Sequence, residues 1–223
     1  MRDTMRGETD ILGGPRPFPT TRWSLVRGAR GDSDRAALEE LCRKYWSPVY
    51  FALRRTWNAD VEEAKDLAQA FFLRFLEKDF LKSVDAERGK FRSFVCAALR
   101  HFILNERRRA GAIKRTPVPA PDPDFDADWK RALVEAAVER MRAGARSEGK
   151  EALVDLLVRY DLEPGERPTY DRLALEAGLT VFQVTNGLHW ARGAFKQACL
   201  DEIRETVETA EDYEDEVRRL FGR

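Results

Sequence analysis

Seven apolar side chains, Ala64, Leu67, Ala68, Phe71, Phe72, Phe75 and Leu76, recur at i, i+3, i+4, i+7, i+8, i+11 and i+12. That spacing draws a continuous stripe down a 3.6-residue helix and excludes the two-residue alternation of a half-buried strand. Asp60 and Glu63 form a D-x-x-E variant of the capping box at its start. Asp66, Gln69, Arg74 and Glu77 fall off the stripe and face water or a partner. The polar loop SVDAERGK follows, with Gly89 as the break. A second helix is expected from about Phe91 to Ala110. Its buried face would hold Phe94, Val95, Ala98, Leu99 and Phe102, with Arg92, Arg100, His101, Asn105, Arg108 and Arg109 projecting elsewhere. Phe91 and Phe102 are open to two roles, packing in the core or stacking on bases.

Charge gives this pair of helices a direction. From Arg88 to Arg115 there are nine Lys or Arg residues (Arg88, Lys90, Arg92, Arg100, Arg107, Arg108, Arg109, Lys114, Arg115) against one acid, Glu106. The whole chain of 223 residues is neutral. Residues 1–115 carry 24 basic and 16 acidic side chains, a net +8, and residues 116–223 carry 15 and 23, a net −8. A basic segment interleaved with aromatic rings points to a partner with phosphates and bases.

The expected fold class is all-α, with two small helical domains joined by a Pro/Asp-rich linker. Residues 1–17 read as a loose N-terminal arm, and 18–115 as the first domain. Within it, Ser33 or Asp34 caps a helix to about Thr56, which Pro48 bends or restarts. Residues 116–128, TPVPAPDPDFDAD, form an extended acidic linker. The second domain, 129–207, opens with helices near Trp129–Arg142 and Glu148–Tyr160. A short helix Tyr170–Ala177, a turn at Gly178 and a longer helix from Val181 to about Ile203 then make a helix-turn-helix pattern. Leu173 and Ala174 would pack on Val184 and Leu188, leaving Phe182, Gln183, Thr185, Asn186 and His189 exposed. Residues 208–223 are an acidic tail.

Other function classes find little purchase. Cys42, Cys96 and Cys199 are odd in number and far apart, without disulfide or zinc spacing, as suits a reducing cytoplasm. No apolar run approaches the roughly 20 residues that span a bilayer, so no membrane insertion is expected. Only two histidines exist, His101 and His189, and no cluster has metal-ligand spacing. Phosphate-cradling Gly loops and nucleophile elbows are absent from the sequence, so neither catalysis nor a cofactor is expected.

With both halves read, the chain resembles a bacterial RNA polymerase sigma factor of the extracytoplasmic-function (ECF) class over about residues 18–207. EEAKDLAQAFFLRFLEKDF is similar to that family's core-polymerase-binding helix, its D-L-x-Q-x-x-F kernel matched by Asp66, Leu67, Gln69 and Phe72. GKFRSFVCAALRHFILNERRR resembles the segment that recognises and melts the −10 element. The linker resembles the connector threaded through the polymerase, and the helix-turn-helix the reader of the −35 element. The resemblance implies core RNA polymerase as partner, through its largest-subunit clamp and its flap, with Asp66, Leu67, Gln69, Phe72 and Arg74 on the helix that docks on the clamp. It implies −10 contacts from Arg88, Lys90, Arg92, Arg100, His101, Asn105, Arg107, Arg108 and Arg109. Contacts to the −35 element would come from Thr180, Phe182, Gln183, Thr185, Asn186, His189 and Arg192. An anti-sigma factor or a regulatory kinase is a further implied partner.

Departures from the family pattern set a further expectation. Phe94 stands for a usual Trp, His101 for an Asn and Asn105 for an Asp. Thr185, Gly187, Trp190 and Ala194 occupy positions where relatives often carry Lys or Arg. Residues 168–200 hold Arg172, Arg192 and Lys196 against Asp171 and Glu176, a net +1, so weak or unusual −35 contacts are expected. Trp190 is either core or a protein-binding surface. Two other readings stand: a helix-turn-helix regulator that does not engage polymerase, and a degenerate sigma-like protein acting through partners. The acidic tail is expected to cover the basic helix in the free protein.

Overall fold

Hydrogen-bonding side chains at helix starts and left-handed residues at helix ends divide this chain into helices. The computed structural model describes residues 33–75, 90–109 and 124–222. Among these, the first three helices are α1 (Ser33–Lys44), α2 (Trp46–Trp57) and α3 (Val61–Phe75). Next come α4 (Phe91–Arg109), α5 (Phe125–Glu148) and α6 (Glu151–Leu157), the last prolonged by a π-helical turn, Val158–Leu162. Finally come α7 (Tyr170–Ala177), α8 (Val181–Arg204) and α9 (Ala210–Phe221). No strand occurs among the described residues, whose nearest approach to one is an isolated bridge between Lys90 and Val207.

Local chemistry accounts for the boundaries. Tyr45 interrupts the first helical run, and Pro48 falls in the opening turn of α2, where its missing N–H removes no helical bond. Asn58, with φ of 51°, closes α2. The Glu63 amide then donates to Asp60 Oδ1 at 2.9 Å to start α3. Gly178, with φ of 66°, ends α7 in the left-handed conformation that glycine adopts without penalty. Thr180 then accepts from the Gln183 amide, while Gln183 Oε1 accepts from the Thr180 amide at 2.8 Å, a reciprocal capping box.

The region after the first domain differs from its expected form. Residues 125–128 are helical rather than extended, because Phe125, Asp128 and Trp129 bury themselves against the rest of the chain. The α5 helix also runs unbroken through 142–148, ending at Gly149 with φ of 64°. Expected linker residues 116–123 lie outside the described residues, as does the end of the stripe at Leu76.

Burial follows the apolar stripes. Ala68, Phe71, Phe72 and Phe75 of α3 meet Phe91, Phe94 and Phe102 of α4 in one cluster. Phe75 lies edge-on to Phe94 with centroids 5.4 Å apart, and Phe71 edge-on to Phe102 at 5.6 Å. The same cluster continues into Phe125, Trp129, Leu133 and Ala137 of α5, then Ala191, Ala198 and Ile203 of α8. Helix α5 packs along α2 as well as α8. A smaller cluster joins Leu156 of α6, Leu173 and Ala174 of α7, and Val184 and Leu188 of α8.

Candidate functional site

Helix α3 is amphipathic in the manner its stripe requires, and its outward face carries two of the five polymerase candidates. Asp66 and Gln69 are exposed, while Leu67 is half-buried against the core. Phe72 is buried and stacks on Trp46 at 5.5 Å, so it positions the helix and offers a partner little surface. Arg74 is held inward. It pairs with Glu106 at 2.7 Å and its guanidinium lies 5.5 Å from the Phe102 ring centroid. Leu73 is 70% exposed. It shares the face of Asp66 and Gln69 at i+7 and i+4, and was missed because a leucine off the main stripe carries no periodic signal. Together these three present carboxylate, amide and uncovered apolar surface, a mixture suited to a protein partner.

Along α4 the candidates divide into two groups. At the N-terminal end, Lys90 Nζ lies 2.9 Å from Asp215, 3.9 Å from Asp212 and 4.0 Å from Glu216. Arg92, expected to project away from the buried face, is in fact buried. Its Nε and Nη2 donate to the two oxygens of Glu216 at 3.1 and 2.9 Å, its Nη1 donates to Asp126 at 2.7 Å, and it lies over the Trp129 ring at 5.3 Å. Burial alone would pull this guanidinium down. Glu216 and Asp126 outweigh it and hold the group above the ordinary arginine value, fully charged.

The other group is more open. Arg100 is partly exposed and Arg108 exposed, and neither pairs with another described residue. The exposed His101 lies with its Nδ1 3.4 Å from Asn105 Nδ2, a loose i,i+4 contact. Arg107 donates to the Thr56 carbonyl at 3.1 Å and covers Trp57 at 5.3 Å, leaving its guanidinium partly committed. Arg109 is exposed and pairs with Glu106 at 3.0 Å. Phe91 and Phe102 are core residues, 0% and 1% exposed, and are not available for base stacking. Arg88 lies outside the described residues.

Around α8, Thr180, Phe182, Gln183, Thr185, Asn186 and His189 are all exposed, as the pattern implied. Three of them are already used: Thr180 and Gln183 in the capping box, and Thr185, whose hydroxyl donates to the Val181 carbonyl at 2.9 Å. Arg192 is held by Asp161 at 2.7 Å and lies over the Tyr160 ring at 5.5 Å. Hydrogen bonding to Asp161 holds its guanidinium above the ordinary value. Gly187 is buried, and a Cβ there would meet Leu153 Cδ2 at 2.9 Å. Its role is close packing of α8 on α6. Trp190 is partly buried against the core, with Lys150 Nζ 4.9 Å from its ring. Three apolar side chains cluster in sequence about the Gly178 turn and remain exposed: Leu175, Val181 and Phe182.

Reactive chemistry has little foothold. Burial pushes the Cys42 and Cys199 thiols up to about 12, so they stay protonated and unreactive near neutral pH. Among the described residues no group of three or more His, Cys, Asp or Glu side chains is arranged to hold a metal. No described helix is long and apolar enough to cross a membrane.

Residues 41–113, from within α1 to beyond α4, match the Sigma-70 region 2 family model. The match supports a sigma-70 family member. It covers about a third of the chain and includes every polymerase and −10 candidate on α3 and α4. A sigma-70 region 2 domain implies a role in promoter recognition, with core RNA polymerase and promoter DNA as partners, and is a transcription-factor rather than a catalytic module. Neither curated proteins nor solved structures give a significant match to the chain.

Proposed function

We propose that this protein is an ECF-class sigma factor that brings RNA polymerase to promoters and assists opening of the −10 region. The observation that carries the reading is the region 2 match over 41–113, within which α3 turns Asp66 and Gln69 outward while α4 carries the basic side chains. In this reading Asp66, Gln69 and Leu73 contact the polymerase clamp, Leu67 and Phe72 fix the helix, and Arg74 locks α3 to α4. Opening DNA unstacks bases at a cost of a few kcal/mol for each flipped nucleotide. Cations along one strand and pockets for bases offset that cost. Arg100, Arg107, Arg108 and Arg109 supply the cations, and His101 and Asn105 have the donors and acceptors to read a base edge or hold a phosphate.

The segment from Tyr170 to Arg204 acts as a helix-turn-helix that approaches the −35 element, with residues 116–123 as the connector from the first domain. A second reading of this half has its own support. With Gln183, Thr185 and Arg192 engaged internally and Leu175, Val181 and Phe182 exposed, the α7–α8 turn suits a protein contact such as the polymerase flap better than a duplex.

Run-off transcription with core RNA polymerase tests the proposal. Protein-dependent initiation on genomic fragments is expected. Binding to a symmetric duplex operator without any effect on core polymerase would favour a regulator that does not engage polymerase.

A further inference from the structure

Lys90, just ahead of α4, and Arg92, the first cation within it, do not face open solvent. Asp126 reaches Arg92 from the start of α5, while Asp212, Asp215 and Glu216 reach Lys90 and Arg92 from α9. The Arg92 fork is filled edge by edge: three hydrogen bonds go to carboxylate oxygens and one ring covers a face. A carboxylate takes a guanidinium fork through two parallel hydrogen bonds, as two oxygens of a phosphate do. A DNA backbone cannot reach these donors while the carboxylates hold them.

The element that supplies most of these carboxylates is lightly attached. Tyr213, Val217 and Leu220 of α9 are only partly buried against the core, and the one side chain of α9 that is fully buried is the charged Glu216. The chain leading into it is anchored at its base, where the Phe91 amide donates to the Thr206 carbonyl at 2.9 Å. Helix α9 is thus fixed at residues 206–207 and held beyond them largely by ion pairs. Such a segment opens at a lower cost than a core helix and is weakened by competing anions.

We infer that α9, with Asp126, is a phosphate-mimicking latch that occupies the Lys90–Arg92 anion site in the free protein and leaves it when single-stranded DNA binds there. The inference rests on the reading of α4 as a DNA-binding helix. It sharpens the expectation of a covering tail: the acids sit on the N-terminal end of α4 and leave Arg100 and Arg108 free of them.

The test is fluorescence anisotropy with a labelled single-stranded oligonucleotide across a salt series, using the full chain. Asp126→Asn, Asp212→Asn and Asp215→Asn together strip the latch acids from Arg92 Nη1 and largely from Lys90, and leave Glu216 to satisfy Nε and Nη2 of buried Arg92. The triple variant is expected to bind about tenfold more tightly at low salt, with a log–log salt slope steeper by about 1.4 for roughly two added phosphate contacts. Lys90→Ala added to the triple variant should remove about half of the gain. A control carrying Glu135→Gln, Glu166→Gln and Asp171→Asn changes net charge equally away from the site and should keep the wild-type slope.

If wild type binds DNA and the folded latch variant binds no better, the latch is overturned and the DNA reading stands. An equal gain in the control also overturns it. If neither wild type nor variant binds oligonucleotide, the DNA-binding reading of α4 fails and the latch fails with it. Circular dichroism melting confirms that each variant is folded.

Discussion

Gly187 shows how one residue's meaning depends on a neighbour that the sequence does not reveal. In isolation it is a helix-weakening glycine, costing about 1 kcal/mol relative to alanine. In the structure it allows α8 to approach Leu153 and Leu156 of α6. A large side chain there must displace both leucines. Gly187→Leu should lower stability by about 1–3 kcal/mol, the usual cost of overpacking, read in urea denaturation. Asp66 is the opposite case. It is exposed and pairs with no other described residue, so Asp66→Arg should leave the melting temperature within a degree or so of wild type, as surface changes usually do. Its effect should fall on affinity for core polymerase, measured by titration. Unchanged affinity would remove Asp66 from the interface. The exposure of Asp66 was legible because it lies off a long stripe. The burial of Arg92 was not, because its partners Asp126 and Glu216 lie 34 and 124 positions away.

Helices were the most legible scale, since caps and apolar periods are local signals. Thr180 and Gln183 place the start of α8 without reference to the rest of the chain. Thr180→Ala removes the hydroxyl that accepts from the Gln183 amide and should cost about 1 kcal/mol, seen as a lower melting temperature. Where composition misled, tertiary burial was the reason. The Pro- and Asp-rich run suggested extended chain through residue 128, but Phe125 and Trp129 gain more by burial than an exposed linker offers. On α4, Arg107 is partly held by Thr56 and Trp57 while Arg108 is open. Arg107→Ala with Arg108→Ala should reduce permanganate reactivity of promoter thymines in the polymerase complex. An unchanged footprint would exclude both from DNA opening.

Across the whole molecule, the opposite charges of the two halves meet. Lys44, Arg55, Lys90 and Arg92 from the first half pair with Glu202, Asp128, Asp215 and Glu216 from the second. The asymmetry was visible in the sequence, but only half of its use was inferred: phosphates were foreseen as partners of the basic residues, and carboxylates of the same chain less fully. Glu202 is bound by Lys44 at 2.5 Å and Arg140 at 2.6 Å. Burial alone would raise its carboxyl, but the two cations outweigh burial and hold it below the usual range. The stability from this pairing is complete above the ordinary glutamate value of about 4.3 and is lost as pH falls through the folded value. Glu202→Gln should therefore lower the melting temperature near neutral pH and flatten its fall between about pH 5 and pH 3; an unaltered slope would exclude Glu202 from acid sensitivity. The most direct test of the molecule as a sigma factor is in vitro transcription from genomic fragments with core RNA polymerase. New 5′ ends should appear only when the protein is added, and fall about tenfold or more with Asp66→Arg, the effect of losing about 1.4 kcal/mol of core affinity. Folded protein that gives no initiation above core polymerase alone would contradict the assignment.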